Sequence, residues 1–101
     1  MLSYERNRNT LVVRLAGELD QREAAEIRSA LDKLLEDERI RRVIFDLSCL
    51  RFMDSSGIGL IIGRYKRLRQ RNGSVAVTGL DERMNRIFEM AGLYQLVERL
   101  A

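Results

Sequence analysis

Histidine is absent from all 101 residues, which removes the Ser-His-Asp and Cys-His catalytic groups together with the commonest metal ligand. Most hydrolytic chemistry is excluded with it. Cysteine occurs once, at Cys49, so no intrachain disulfide can form. The chain reads as a protein of a reducing compartment, with Cys49 expected to be a small buried hydrophobe. Proline is missing as well, and with no repeat or low-complexity stretch nothing marks an internal linker, so one domain over residues 1–101 is expected. No apolar run approaches the ~20 residues of a membrane span, and Met1-Leu2-Ser3-Tyr4-Glu5-Arg6 lacks the apolar core of a signal peptide. A soluble, cytoplasmic protein is the expectation.

What is present suffices for a folded domain. Apolar residues make up 46% of the chain and charged ones 33%, a balance that can fill a core and still solvate a surface. The net charge of +3 is carried almost wholly by arginine, since Lys33 and Lys66 are the only lysines.

The hydrophobic pattern alternates between strand and helix. Tyr4 to Arg8 and the β-branched run Leu11–Ala16 flank a polar Asn9-Thr10 turn and end at Gly17, which predicts an opening antiparallel hairpin. Ala24, Ile27, Leu31, Leu34 and Leu35 then recur at helical spacing behind Asp20, an N-cap residue type, while Glu23, Glu26, Arg28, Asp32 and Lys33 form a solvated face. Val43–Leu47 reads as a buried central strand, and Ser48 to Met53 as the connection to a second helix starting at Asp54-Ser55. Ile58, Ile61, Ile62, Tyr65 and Leu68 are its predicted apolar stripe, with Asn72-Gly73 as the stop. A strand at Ser74–Thr78 follows, then a helix with Met84, Ile87, Phe88 and Ala91 on one face, the stop Gly92, and a last strand around Leu96 to Glu98. Such alternation implies an α/β fold with a mixed, mostly parallel sheet, packed helices and an N-terminal hairpin.

The segment Phe52-Met53-Asp54-Ser55-Ser56-Gly57-Ile58-Gly59 concentrates the local signals. With Asp54 as N-cap, its carboxylate can accept from a first-turn N–H, and Met53 and Ile58 occupy the hydrophobic-staple positions. Ser55 and Ser56 then stand where free N–H groups and the helix dipole favour negative charge by ~0.3–1 kcal/mol. A phosphate there would add about −1.5 to −2 charges without unwinding the helix. Gly59 and Gly63 each cost a helix ~1 kcal/mol relative to alanine, which suggests close approach of another backbone, from the sheet or from a partner. The glycines do not have dinucleotide-fingerprint spacing, and no Gly-Lys-Ser/Thr follows them. A nucleophile at Asp54 or Ser55 has no base of the usual kind nearby, so no enzymatic role, cofactor or metal is expected.

At this point the chain resembles a known family. Phe52 to Gly59 followed by Gly63-Arg64-Tyr65-Lys66, with Gly17-Glu18-Leu19-Asp20 and Ile87-Phe88-Glu89-Met90-Ala91-Gly92-Leu93 at their expected places, is similar to the STAS-domain anti-sigma factor antagonists, and within them to the sporulation anti-sigma F branch. The resemblance implies that Ser55 is the phosphoacceptor and that the kinase is the anti-sigma factor itself, with its bound ATP or ADP. It further implies that a serine phosphatase resets the switch, and that Asp20, Asp54, Ser56, Gly57, Ile58 and Gly59 form the partner-binding corner. Unphosphorylated, such a protein binds the anti-sigma factor and frees the sigma factor, touching neither DNA nor membrane. Against the family pattern, the chain stops at Leu100-Ala101, before a further C-terminal helix.

Two other readings compete with this one. An antagonist in a general stress sigma circuit would share these motifs. A small nucleic-acid binder is suggested by Arg64, Lys66, Arg67, Arg69 and Arg71, five positive charges in a helix segment with no negative one. Against the latter, Asp20 to Arg39 holds seven acidic and four basic residues, and only Tyr65 interleaves the basic run as a stacking platform would require.

Overall fold

Hydrophobic residues at every second position from Leu11 to Leu15 and from Val43 to Leu47 demand a sheet with one buried face. The computed structural model, which describes residues 1–100, supplies it. Strand β1 (Leu2–Asn7) pairs antiparallel with β2 (Thr10–Leu19), and β2, β3 (Arg42–Met53), β4 (Ser74–Thr78) and β5 (Glu98–Arg99) pair in parallel, in the order β1-β2-β3-β4-β5. Helices α1 (Gln21–Leu34), α2 (Ser55–Arg69) and α3 (Glu82–Met90) make the three crossovers. Strand order that follows chain order, with right-handed crossovers, sends all three helices to the same face.

That face holds the core: Leu11, Val13 and Leu15 of β2, Val43, Phe45 and Leu47 of β3, and Val75 and Val77 of β4 are buried together with Ile27, Leu31, Ile61, Leu68 and Phe88. The opposite face is solvated and carries ion pairs, Arg14 with Asp46 at 3.1 Å and Arg42 with Glu98 at 3.0 Å. Among the described residues no helix is long and apolar enough to cross a membrane.

Several boundaries differ from the sequence reading, each for a local reason. The hairpin turn is Arg8-Asn9 rather than Asn9-Thr10, because β-branched Thr10 already pairs with Asn7 and Arg8 takes the left-handed conformation (φ 58°). Strand β2 does not stop at Gly17. Gly17, at φ 85°, lies where the β2–β3 register slips, and pairing resumes to Leu19 opposite Met53. Likewise Ser48 to Met53 is not a connection but the second half of β3. The register slip between Asp46 and Cys49 breaks the two-residue alternation, so Ser48 and Cys49 are both exposed and Leu50 returns to the core. Cys49 is therefore an exposed free thiol, not the buried hydrophobe expected.

On α3 only Met84 and Phe88 are buried, while Ile87 and Ala91 face outward. A 3-10 turn at Leu93–Gln95, announced by Gly92 at φ 73°, delays the last strand to Glu98–Arg99.

Candidate functional site

Parallel pairing decides where the site lies. Because β2 and β3 run side by side in the same direction, the chain leaves both at one end of the sheet, and the last pair in register is Leu19 with Met53. The Asp54 N–H donates to the Leu19 carbonyl at 3.3 Å. The starts of α1 and α2 are thereby held next to each other, each behind an aspartate N-cap. Asp20 Oδ1 accepts from the Glu23 N–H at 2.9 Å, and Asp54 Oδ1 from the Ser56 N–H at 2.8 Å. Both caps have extended backbone, which directs the helices back over the sheet.

Ser55 is the first residue of α2 and is exposed. Its hydroxyl makes no hydrogen bond to the described residues, and no acidic side chain lies in the first turn of the helix. Ser56 is half-buried, its N–H committed to the cap. Ile58 and Met53, at the staple positions, are both half-buried and pack against the core.

The two neighbouring glycines differ. Gly57 was expected in the partner-binding corner, yet it is buried, and a Cβ there would run into the Met53 and Leu19 side chains. Its task is to let α2 sit close on the strand ends. Gly59 is exposed, and a Cβ on it, or on Gly63, would meet nothing within 4 Å. The sheet is thus not the backbone that approaches these two glycines. The structure brings Asp20, Asp54, Ser55, Ser56, Ile58 and Gly59 to one corner and turns Gly57 inward.

A groove of about 350 Å³ opens beside this corner, walled by Ala24, Ala25 and Arg28 of α1 and by Ser56 and Gly59 of α2. The sequence reading missed it, because Arg28 looked like one more member of a solvated face and Ala24 like core alone. The apolar stripe of α2 is also rotated from the predicted one: Gly57, Leu60, Ile61, Arg64 and Leu68 are buried, and Ile58, Ile62 and Tyr65 are only half so. Positions 57, 60, 61, 64 and 68 have helical spacing, a signal that was readable except that position 64 is an arginine.

The basic run of α2 is largely committed within the chain. Arg64 Nε lies 3.4 Å from Asp32 Oδ1, and Arg67 Nη1 donates to the same oxygen at 3.1 Å. Arg69 donates to the Tyr65 hydroxyl at 2.8 Å. Arg71 donates to the carbonyls of Leu35, Ile40 and Asp37 at 2.8, 3.1 and 3.2 Å, clamping the loop between α1 and β3. Burial pushes the Arg64 pKa below the ordinary arginine value, with Asp32 pulling it back up. A stripe free to track phosphates would need these side chains extended into solvent instead.

Comparison with known proteins identifies the family and the fold. Residues 1–101 match the family model of the STAS domain. The chain is 35% identical over 96 residues to the anti-sigma F factor antagonist of Paenibacillus polymyxa, covering 95% of this chain and 82% of that protein. It is 36% identical over 94 residues to the anti-sigma-B factor antagonist of Listeria monocytogenes, covering 93% and 82%. Among solved structures, the anti-sigma factor antagonist SpoIIAA in its unphosphorylated form superposes with a TM-score of 0.83 at 27% identity, over all of this chain and 88% of that one. The Bacillus cell fate determinant SpoIIAA in the phosphorylated form gives 0.81 at 29%, over 100% and 92%.

Proposed function

The chain belongs to the STAS domain family, and on that premise we propose that it is an anti-sigma factor antagonist switched off by phosphorylation of Ser55. The observation that carries this reading is the exposed, unengaged Ser55 hydroxyl at the first position of α2, next to the Asp20 cap of α1. A kinase can reach that hydroxyl without unfolding anything. Relatives named as anti-sigma factor antagonists, and a structural neighbour known in unphosphorylated and phosphorylated forms, support it.

The switch works by charge. A phosphate on Ser55 adds about −1.5 to −2 charges at a helix start whose free N–H groups tolerate it. The helix persists, and the change is felt by the partner, whose contact with a neutral hydroxyl becomes a contact with a dianion. In the unphosphorylated state the corner at Asp20, Ser55, Ser56, Ile58 and Gly59 binds the anti-sigma factor kinase and frees the sigma factor. The kinase, using its own ATP, ends that state, and a serine phosphatase restores it. The chain itself performs no catalysis and works in the cytoplasm.

The circuit proposed is that of sigma F in sporulation, from the match through Gly63-Arg64-Tyr65-Lys66. The similarity to anti-sigma-B factor antagonists favours a general stress circuit as the second reading. The test is peptide mass spectrometry after incubation with ATP and the candidate anti-sigma F kinase, beside a Ser55→Ala control. One phosphate on Ser55, absent from the control, is the expected result. No phosphate from an active sigma F kinase but one from a sigma B kinase selects the second reading, and a phosphate on Ser56 refutes the assignment of Ser55.

A further inference from the structure

The seam between α1 and α2 carries an unbalanced charge. Asp32 is approached by Arg64 at 3.4 Å and Arg67 at 3.1 Å, and Arg28, one turn earlier on α1, stands close enough for its charge to oppose that of Arg64. Two guanidinium groups thus share one carboxylate, with the positive charge of Arg28 close by. Arg64 is the most constrained of them. Its side chain is only 10% exposed, and its Nε and Nη1 atoms have no hydrogen-bond partner among the described residues. A buried guanidinium with idle N–H groups is costly unless further negative charge comes near. Arg28 enters no ion pair among the described residues and stands in the wall of the groove that leads to Ser56 and Gly59.

We propose that the groove between α1 and α2 receives an acidic side chain of the anti-sigma factor, whose carboxylate pairs with Arg28 and offsets the surplus charge of Arg64 and Arg67. The inference rests on the antagonist reading above and adds the chemistry of the contact. Gly59 fits the same picture, since the open space where its Cβ would stand lies at the mouth of the groove and admits a partner's chain. The switch also gains a direct cause. A phosphate on Ser55, beside Ser56 in the groove wall, would place negative charge against an incoming carboxylate and offer Arg28 a rival anion. Attraction would then become repulsion at one spot.

The test uses the anti-sigma factor that phosphorylates Ser55 and measures its affinity by calorimetry for the wild type, Arg28→Lys, Arg28→Gln and Arg28→Glu, each at two salt concentrations. Thermal unfolding of every free variant is recorded in parallel. Arg28→Glu should bind at least about tenfold more weakly and Arg28→Gln several-fold more weakly, whereas Arg28→Lys stays within a few-fold of wild type. Free Arg28→Glu should melt no lower than wild type, because it sets a carboxylate near Arg64. A purely structural role for Arg28 would instead lower affinity and melting temperature together, and that result overturns the proposal. Wild-type affinity in Arg28→Glu, with Ser55 still phosphorylated, overturns it and leaves the antagonist reading standing. Failure of the wild type to bind any anti-sigma factor removes both.

Discussion

The two ends of α2 use their polar groups in opposite ways. The last turn, from Arg67 to the arginine that follows the helix at Arg71, is dense in charge, yet that charge is turned back on the chain: onto Asp32, onto the Tyr65 hydroxyl, and onto the carbonyls of the loop after α1. The first turn, Ser55 to Gly59, holds no charged side chain, and there a hydroxyl and a glycine face solvent with nothing of this chain against them. Charge density alone points to the end of the helix opposite the proposed site. A functional surface on this helix is marked by polar groups and space that the fold leaves unused, because groups the fold already satisfies have little left to offer a partner.

Arg71→Ala tests the internal role of the basic end most severely. It takes the guanidinium away from three carbonyls, of which only that of Asp37 keeps another donor, the Ile40 N–H, and is expected to lower stability by about 2 kcal/mol in urea denaturation, leaving Ser55 phosphorylation at saturating kinase unchanged. A loss under about 0.5 kcal/mol would show that water replaces the clamp without penalty.

The paired glycines sharpen the contrast at the other end. Gly57→Ala forces a methyl group against Met53 and Leu19 and should cost about 2 kcal/mol. Gly59→Ala enters open space, so helix propensity should raise stability by up to about 1 kcal/mol, while the added methyl obstructs docking and weakens kinase affinity. The same sign for both in thermal unfolding would erase the distinction between the inner and outer faces of this turn.

The smallest effect concerns pH. Hydrogen bonds from Arg39 and Arg6 hold the Asp37 carboxyl well below its ordinary value of 3.8. With the folded-state value depressed, the stability contributed by Asp37 is complete above that ordinary value and is lost as pH falls through the folded-state value. Asp37→Asn should therefore be slightly less stable than wild type at about pH 6, and the gap should narrow toward about pH 2. A gap that is constant with pH would mean that the ion pairs with Arg6 and Arg39 are screened out in solution.

Much of this was legible from residue order. The caps at Asp20 and Asp54, the hairpin followed by alternating strands and helices, and β4 at Ser74–Thr78 follow from local chemistry, since caps, glycine stops and apolar periods act over a few residues. The second half of β3 was not legible. Ser48, Cys49 and Arg51 break the alternation, and only pairing with β2 across two register slips keeps them in the sheet. Arg64 was misread for a related reason. Periodicity arguments assign an arginine to the solvated face, whereas the packing of α1 against α2 buries this one behind Asp32.

Sequence by itself determined the residue types at the site: Ser55 behind an aspartate cap, and glycine at 57 and 59. Tertiary structure decided what each of them faces. The parallel register of Leu19 with Met53 sets the Asp20 cap beside the Asp54 cap, turns Gly57 into the core and Gly59 out of it, and makes a groove wall of Arg28. The physical reason is range. Capping and propensity act within one turn of helix, but exposure and charge balance depend on neighbours more than thirty residues away along the chain, such as Leu19 for Gly57 and Asp32 for Arg64.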